Sequence, residues 1–552
     1  MKMQIKTILI ICLLSIYSCN AQTVVDDCLG GWSGIFEDKT PFLFDIKLTT
    51  KDKKTVAIFK GRKSTTEIHL EAENDRYLFG EVVSQLSIRI DTTYTEPIAF
   101  IKTGHHLSNL ELKRNPQGDW VGKWNLLIGE SILPSLYLAI DKSDEGVYSV
   151  TPFFKEPTLH YMLGQGLKIQ RNEIHFTDIR SNINFSGLLQ KKLIKLKLQF
   201  LNEYTTIQLS PLPCDRWEIG QVEAQKKTIT KDTRFSKLIA DVKNDTLERT
   251  HSVVISQSGA IILEEYFDSF TSTTPHDTRS LSKSIASAMI GIAIADQKID
   301  NEHLPIKNFY EDDYPEITWE DGKKDITIHH LMTMSSGLDA IDFGLNRNSF
   351  ANEYTYQSQE DWTAYILKAP MVFKSGEKAN YGSGSTHLLA PIVSKSISER
   401  LEFYIHRKLF KPLYIENYRI QTDHSDNPYF GGGWYLTPLD LQKFGQLYLN
   451  KGMWNGKEII ARQWVEKSMK KLDVLENTWD KNEYGYLFWH KTYEVKGKKI
   501  ASVEARGTGG QYLFIIPEYE LIVVITSGNY SNNKGFQPEK IIEEYILTEI
   551  ID

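Results

Sequence analysis

Cysteine is scarce in this chain of 552 residues, which holds only four. No grouping of cysteine and histidine has zinc-ligand spacing, so a structural zinc site is not expected. Basic blocks are lacking too, and the net charge is -7. That balance argues against a nucleic-acid partner. After the first residues no apolar run is long enough to span a bilayer. The chain has no Gly-x-Ser-x-Gly elbow, which speaks against one common serine esterase fold. The run Gly431-Gly432-Gly433-Trp434 is not followed by the lysine of a phosphate-binding loop, so tight turns are the expectation there.

What is present is ordinary for globular protein: 41% hydrophobic and 24% charged residues. The length predicts two or three domains. Residues 1–21 read as a targeting segment. Lys2 and Lys6 supply a positive start, and the apolar run from Thr7 to Ile16 has the size of a signal core. Two cleavages fit. One follows Ser18 and leaves Cys19 as a lipid-bearing first residue, because Ile16-Tyr17-Ser18-Cys19 resembles a bacterial lipobox, with Tyr17 a poor fit. The other follows Ala21. Both predict export to the bacterial envelope, in the periplasm or on a lipid anchor. Cys12 leaves with the signal. Cys28 and Cys214 then bracket the next region, and an oxidising compartment would permit either a bridge or two buried thiols.

Residues 22–225 alternate with a period of two. "FLFDIKLTT", "KTVAIFKG", "TEIHLEAE", "SLYLAIDK", "NEIHFTDIR" and "LIKLKLQFL" read as short strands of an all-β domain. "GGWSGIF" at Gly30 and "GDWVGKW" at Gly118 resemble each other and suggest two β repeats of about ninety residues. A single barrel is the competing arrangement. No polar cluster here suggests chemistry, and a structural or docking platform is the expectation.

Residues 226–552 change character. "HSVVISQSGAIILEEYF" reads as a hairpin turning at Ser258-Gly259, and "QYLFIIP" with "ELIVVITS" forms strands near the end. Helical patterns lie between, among them "LDLQKFGQLYLN" and "ARQWVEKSMKK", and "PEKIIEEYILTEI" closes the chain. Thr437, Pro438 and Asp440 form a helix start with a reciprocal cap. One antiparallel sheet built from both termini, flanked by helices and carrying a helical insertion, follows: an α/β (α+β) domain.

One position in this half is odd. From Leu281 to Ala295 the residues are apolar or small, yet Lys283 stands three residues after Ser280. A helix start favours acids, not an ammonium. The two residues share a helix face. Burial and the positive helix end push a lysine toward its neutral form, which can take a proton from a serine hydroxyl. The Ser280 N–H, at the helix start, can help hold an oxyanion. Ser-x-x-Lys alone is weak evidence, since Ser375, Ser468 and Ser531 begin the same pattern in turns, a lysine-rich helix and a polar loop. A first-turn lysine reaching out to water is the bland alternative.

The stretches "RSLSKSIAS", "ITIHHLMTMSSGL", "KSGEKANYGSGSTHLL", "GGGWYLTPLDLQKFGQLYLNKGMWNGKEII" and "GTGGQYLFIIPEYELIVVIT" resemble, in order, the serine β-lactamase-like and penicillin-binding-protein-like hydrolases. Within these, the class C β-lactamase and esterase group is nearest, and its 6-aminohexanoate-dimer hydrolase branch most similar. The resemblance runs from Arg234 to the carboxyl terminus. It implies catalytic roles for Ser280, Lys283 and Tyr381, the last from the motif Tyr381-Gly382-Ser383, with Ser383 near the lysine or the substrate. A phenol whose pKa an ammonium lowers could serve as base and then acid. The family's Lys-Thr-Gly motif is altered. Its strand offers Ala505-Arg506-Gly507 or Gly507-Thr508-Gly509, with no lysine in first place, and Lys102-Thr103-Gly104 lies in the wrong half. Gly507, Thr508 and Gly509 are the oxyanion and substrate-binding candidates, with the Thr508 N–H as second donor and Arg506 a nearby source of charge. Trp434, Tyr435, Tyr484 and Trp489 are candidates to line a pocket or to pack. His329 and His330 are expected to pack at a helix start rather than bind metal.

The resemblance implies an exported serine hydrolase that cleaves a small ester, amide or peptide-like substrate through an acyl-enzyme, with no cofactor. Two rivals stay open: a D-alanyl-D-alanine carboxypeptidase or β-lactamase, and a non-catalytic envelope binding or sensor protein.

Overall fold

The computed structural model describes residues 25–38, 40–83, 85–127, 135–154, 164–212, 233–268, 270–319, 322–343, 348–478, 480–530 and 532–551. The targeting segment, Cys19 and Cys214 lie outside them. The chain divides into two compact units, 1–106 with 110–222 and 107–109 with 223–552.

The first unit is all β. Strands Leu43–Lys51, Lys54–Lys60, Thr65–Ala72, Tyr77–Val82, Leu86–Asp91 and Ile98–Thr103 make an antiparallel meander. Trp120–Asn125 pairs back onto Leu43–Lys51. A second sheet runs from Tyr148–Phe154 through Ser135–Lys142, Gly30–Ile35, Glu203–Pro211, Leu193–Phe200, Asn184–Gln190 and Glu173–Asp178 to Gly164–Gln170. Alternation explains the core. Ile194, Leu196, Leu198 and Phe200 are buried while Lys195, Lys197 and Gln199 between them are exposed. Both sheets feed one cluster, in which Phe44 stacks on Trp124 at 5.7 Å and meets Phe200 at 6.1 Å.

The two similar stretches are not placed equivalently. Gly30–Ile35 is inserted between Ser135–Lys142 and Glu203–Pro211 in the second sheet, whereas Trp120–Asn125 belongs to the first. Pairing partners far along the chain decide a strand's place, and a local motif does not encode them. Cys28 is buried, its thiol donating to the Gln190 carbonyl at 3.7 Å. Burial pushes that thiol up to about 11.

The second unit centres on an antiparallel sheet in the order Ala260–Tyr266, Thr250–Gln257, Leu521–Ser527, Gln511–Ile516, Lys498–Gly507, Trp489–Val495, Glu483–Tyr484, Asp473–Val474. The first hairpin turns at Ser258-Gly259, both with positive φ, the geometry that matches strand twist. Its strand Thr250–Gln257 lies against the C-terminal Leu521–Ser527, so both ends of the segment build one sheet, as the pattern predicted. Every residue of Leu521–Ser527 is buried. Helix Ser236–Lys243 and the C-terminal helices contribute Leu238, Ile542 and Ile546 to a core with Val523 and Ile525. Helix Pro438–Leu449, closed by the Thr437–Asp440 capping box, lays Gly445 on Leu513 and Ile522. Among the described residues no helix is long and apolar enough to cross a membrane.

Candidate active site

Ser280 lies in a 3₁₀ turn, Arg279–Ser282, that runs directly into helix Lys283–Ala295. The turn is held from outside. Trp434 O accepts the Thr278 N–H at 2.8 Å and the Thr278 hydroxyl at 2.7 Å. Arg279 has φ of +50°, a conformation uncommon for a residue with a side chain. Asp277 steadies it by accepting its N–H at 3.0 Å and its guanidinium at 3.3 Å. The helix that follows is buried from Lys283 through Ala293, so the lysine does not extend into solvent.

Lys283 is 1% exposed. Its Nζ lies 2.9 Å from Ser280 Oγ, 2.9 Å from Ser383 Oγ and 2.5 Å from Gly431 O. Among the described residues it makes no ion pair. Burial therefore dominates and lowers it to about 8, with Glu353 and Asp342 holding it up and Arg279 pressing it down. At pH 7.5 a group with that pKa is neutral roughly a quarter of the time, against about one part in a thousand for ordinary lysine. The bland alternative, a lysine reaching solvent, is not what the structure shows.

Tyr381 sits beside this pair, its ring centroid 5.1 Å from Lys283 Nζ. Here the structure corrects the sequence-based expectation of a lowered phenol pKa. Burial pushes it well above its ordinary value, Tyr484 adds to the rise, and hydrogen bonding with the Ser280 side chain only opposes it. The resting phenol keeps its proton. Trp489 and Tyr484 pack on its ring at 5.3 and 6.4 Å, and Phe343 stacks on it at 4.9 Å. Asn477 grips its backbone, accepting the Tyr381 N–H at 2.7 Å and donating to Tyr381 O at 3.1 Å. Ser383 opens helix Ser383–His387.

The strand Lys498–Gly507 ends against the nucleophile turn. A Cβ added to Gly507 would stand 2.2 Å from Thr278 O and 3.1 Å from Arg279 Cβ, so only glycine permits this approach. Thr508 follows with its side chain exposed, and the buried Gly509 has φ of +87°. Arg506 is not a spare cation. It pairs with Glu504 at 2.6 Å and Glu539 at 3.0 Å and lies over Trp489.

Of the other sequence candidates, Trp434 is fully buried and anchors the turn, and Tyr435 pairs with Asp277. His330 closes the cap of helix Ile328–Met332, and His329 Nδ1 lies 2.7 Å from the Tyr486 hydroxyl. Three functional neighbours escaped the sequence. Gly431 contributes a carbonyl, which no side-chain motif reveals. Asn477 acts on backbone. Asp342 is hydrogen-bonded to Ser383, and no fixed spacing links it to Ser280.

This constellation can do acyl transfer. A hydroxyl, a partly neutral amine and a protonated phenol converge, and the N–H of Ser280, in the first turn of a helix, lacks an intrahelical acceptor. The chain is similar to several known proteins. An uncharacterized protein of Alkalihalophilus pseudofirmus is 22% identical over 307 residues, 52% of this chain and 85% of that protein. A Bacillus anthracis protein assigned as a 6-aminohexanoate-dimer hydrolase is similar in structure, with TM-score 0.46 at 20% identity over 60% of this chain and 87% of its own. A family VIII carboxylesterase gives TM-score 0.45 at 15% identity, covering 56% and 95%. A penicillin-binding protein of Bacillus halodurans gives 0.42 at 16%, covering 54% and 96%. The Beta-lactamase family model matches residues 236–544, more than half of the chain and the whole of the site just described, and the protein therefore belongs to the beta-lactamase family.

Proposed function

We propose that this protein is an exported serine hydrolase that cleaves an ester or amide lacking a carboxylate next to the scissile bond. The observation that carries the proposal is the 2.9 Å approach of a buried, unpaired lysine amine to Ser280 Oγ.

In the first half-reaction the Ser280 O–H bond breaks and its proton goes to Lys283 Nζ. The freed oxygen attacks the carbonyl carbon. Charge on the carbonyl oxygen is met by the N–H groups of Ser280 and Thr508. Collapse breaks the bond to the leaving group, which takes the Tyr381 proton. The resulting phenolate is stabilised by the new ammonium beside it. In the second half-reaction Tyr381 takes a proton from water, the hydroxide attacks the acyl carbon, and Ser280 leaves with the proton held on Lys283. Substrate plus water becomes acid plus alcohol or amine, and every side chain returns to its starting state.

The substrate restriction comes from the altered third motif. Arg506, the cation that this strand carries beside the altered motif, is committed to Glu504 and Glu539. A substrate carboxylate placed there meets glycine and threonine, which disfavours D-alanyl peptides and β-lactams.

A panel of acyl esters, anilides, D-alanyl peptides and a chromogenic cephalosporin, run on wild type beside Ser280→Ala, tests this. Ester or amide turnover lost in Ser280→Ala supports it. Efficient cephalosporin turnover would overturn the substrate restriction, and turnover that survives in Ser280→Ala would overturn the nucleophile. Export through residues 1–21 is tested by fractionating cells that express wild type and Cys19→Ala. Both forms in the cytoplasm would contradict it.

A further inference from the structure

Asp342 stands behind the site and receives three donors. Its Oδ2 accepts the N–H and the hydroxyl of Ser383, each at 2.6 Å, and its Oδ1 accepts the Glu353 N–H at 2.9 Å. Ser383 has one hydroxyl proton to give. Given to Asp342, it leaves Ser383 Oγ able only to accept from Lys283 Nζ, 2.9 Å away. Gly431 O can only accept as well. Two of the three oxygens around Nζ are thus fixed as acceptors. A neutral amine has two N–H bonds and one lone pair. Its two N–H bonds go to Ser383 and Gly431, and the lone pair is left facing the third oxygen, that of Ser280.

With Ser280 as the nucleophile, as proposed above, we propose that Asp342 is a positioning residue. By taking the Ser383 proton it makes Ser383 an acceptor, and so leaves the Lys283 lone pair no partner except the Ser280 hydroxyl. The proton then passes from Oγ to Nζ without movement of heavy atoms. A protonated or apolar residue at 342 releases the Ser383 hydroxyl to turn toward Nζ and compete with Ser280 for the lone pair.

The charges around Asp342 come from several elements. Glu353 begins the helix Glu353–Gln357 and accepts the Tyr429 hydroxyl at 2.7 Å. Lys283 and Arg279 approach from the nucleophile turn, and Tyr381, Tyr354 and Tyr429 complete the shell. Burial and then Glu353 push the Asp342 carboxyl up to about 6, while Lys283 and Ser383 pull it down. At neutral pH the carboxylate form prevails, and it is lost as pH falls through 6.

The test is the pH dependence of kcat and kcat/KM for wild type, Asp342→Asn, Asp342→Leu and Ser383→Ala, on an ester that the wild type turns over, with circular dichroism to verify folding. Asparagine keeps an acceptor for the Ser383 hydroxyl and removes the charge that supports the Lys283 ammonium. Its acid limb should move to lower pH by about half a unit or more. Leucine also removes the acceptor, and kcat should fall about tenfold or more with a smaller change in KM. Adding Ser383→Ala to Asp342→Leu should cost less than it costs in wild type, because the misdirected hydroxyl is then gone. An unmoved acid limb in a folded, active Asp342→Asn enzyme, or an Asp342→Leu enzyme with wild-type kcat, would overturn the role of Asp342 alone. Wild-type turnover that does not depend on Ser280 would overturn the nucleophile assignment and this role with it.

Discussion

The all-β unit buries Glu203 and the beta-lactamase-family unit buries Lys283, and the two are treated in opposite ways. Glu203 Oε1 accepts the N–H groups of Lys63 and Ser64 at 2.8 and 2.6 Å and the Ser64 hydroxyl at 2.7 Å. Asp178 is likewise met by Ser181 and Arg180, and Asp91 by Arg76 and Thr93. Donors placed directly on a carboxylate satisfy its hydrogen bonds and fix the chain around it. Lys283 instead touches three neutral oxygens, and its carboxylates are held one side chain back. That arrangement leaves the amine close enough to neutrality to exchange a proton. A buried charge met directly by its partners is held in place. A buried charge with its counter-ion withheld can do chemistry. Arg506, inside the same unit as Lys283 yet tied to two glutamates, follows the structural pattern.

Several variants can break or sharpen that contrast. The largest effect is expected from Ser280→Ala and Lys283→Met, which should each cut kcat about a thousandfold or more while the protein stays folded; single-turnover kinetics on a p-nitrophenyl ester would measure it. Tyr381→Phe removes the proton donor for the leaving group and should cost about a hundredfold or more in kcat, more for an amide than for an activated ester. Gly507→Ala forces a Cβ onto the Thr278 carbonyl and should cost about a hundredfold through a displaced nucleophile turn, a larger effect on turnover than on stability. Arg506→Met should do the reverse. It leaves Glu504, which is 0% exposed, without its cation and should lower stability by about 3 kcal/mol, read by urea unfolding, with activity per folded molecule preserved. Glu203→Ala, in the other unit, removes the acceptor shared by the Lys63 and Ser64 donors, which water can then reach, and should cost about 1 kcal/mol and leave ester turnover unchanged. An Arg506→Met protein of wild-type stability but without turnover would collapse the distinction.

Much of this was legible in the sequence where spacing along one element fixes the outcome. The Ser258-Gly259 turn, the Thr437–Asp440 cap and the Ser280–Lys283 offset each span a few residues, and local geometry decides them. Tyr381 and Gly507 were legible only through resemblance, because contacts across the fold bring them to Ser280. The direction of the Tyr381 pKa was not legible at all. It depends on how completely Trp489, Tyr484 and Phe343 enclose the ring, and burial is a property of packing rather than of motif. Arg506 looked available because its partner Glu539 lies in a helix beyond two further strands. The Gly30 and Gly118 stretches looked alike because a strand's sequence records which face is apolar and not which neighbour it joins.

The most direct measurement is to quench the enzyme during turnover of a slow ester, digest it, and locate the acyl adduct by mass spectrometry. One acyl group on the peptide containing Ser280, absent from Ser280→Ala and accumulating in Tyr381→Phe, is the expected result. An adduct on another residue, or turnover without any adduct under conditions where deacylation is rate-limiting, would contradict the claim that the withheld counter-ion at Lys283 serves to make Ser280 a nucleophile.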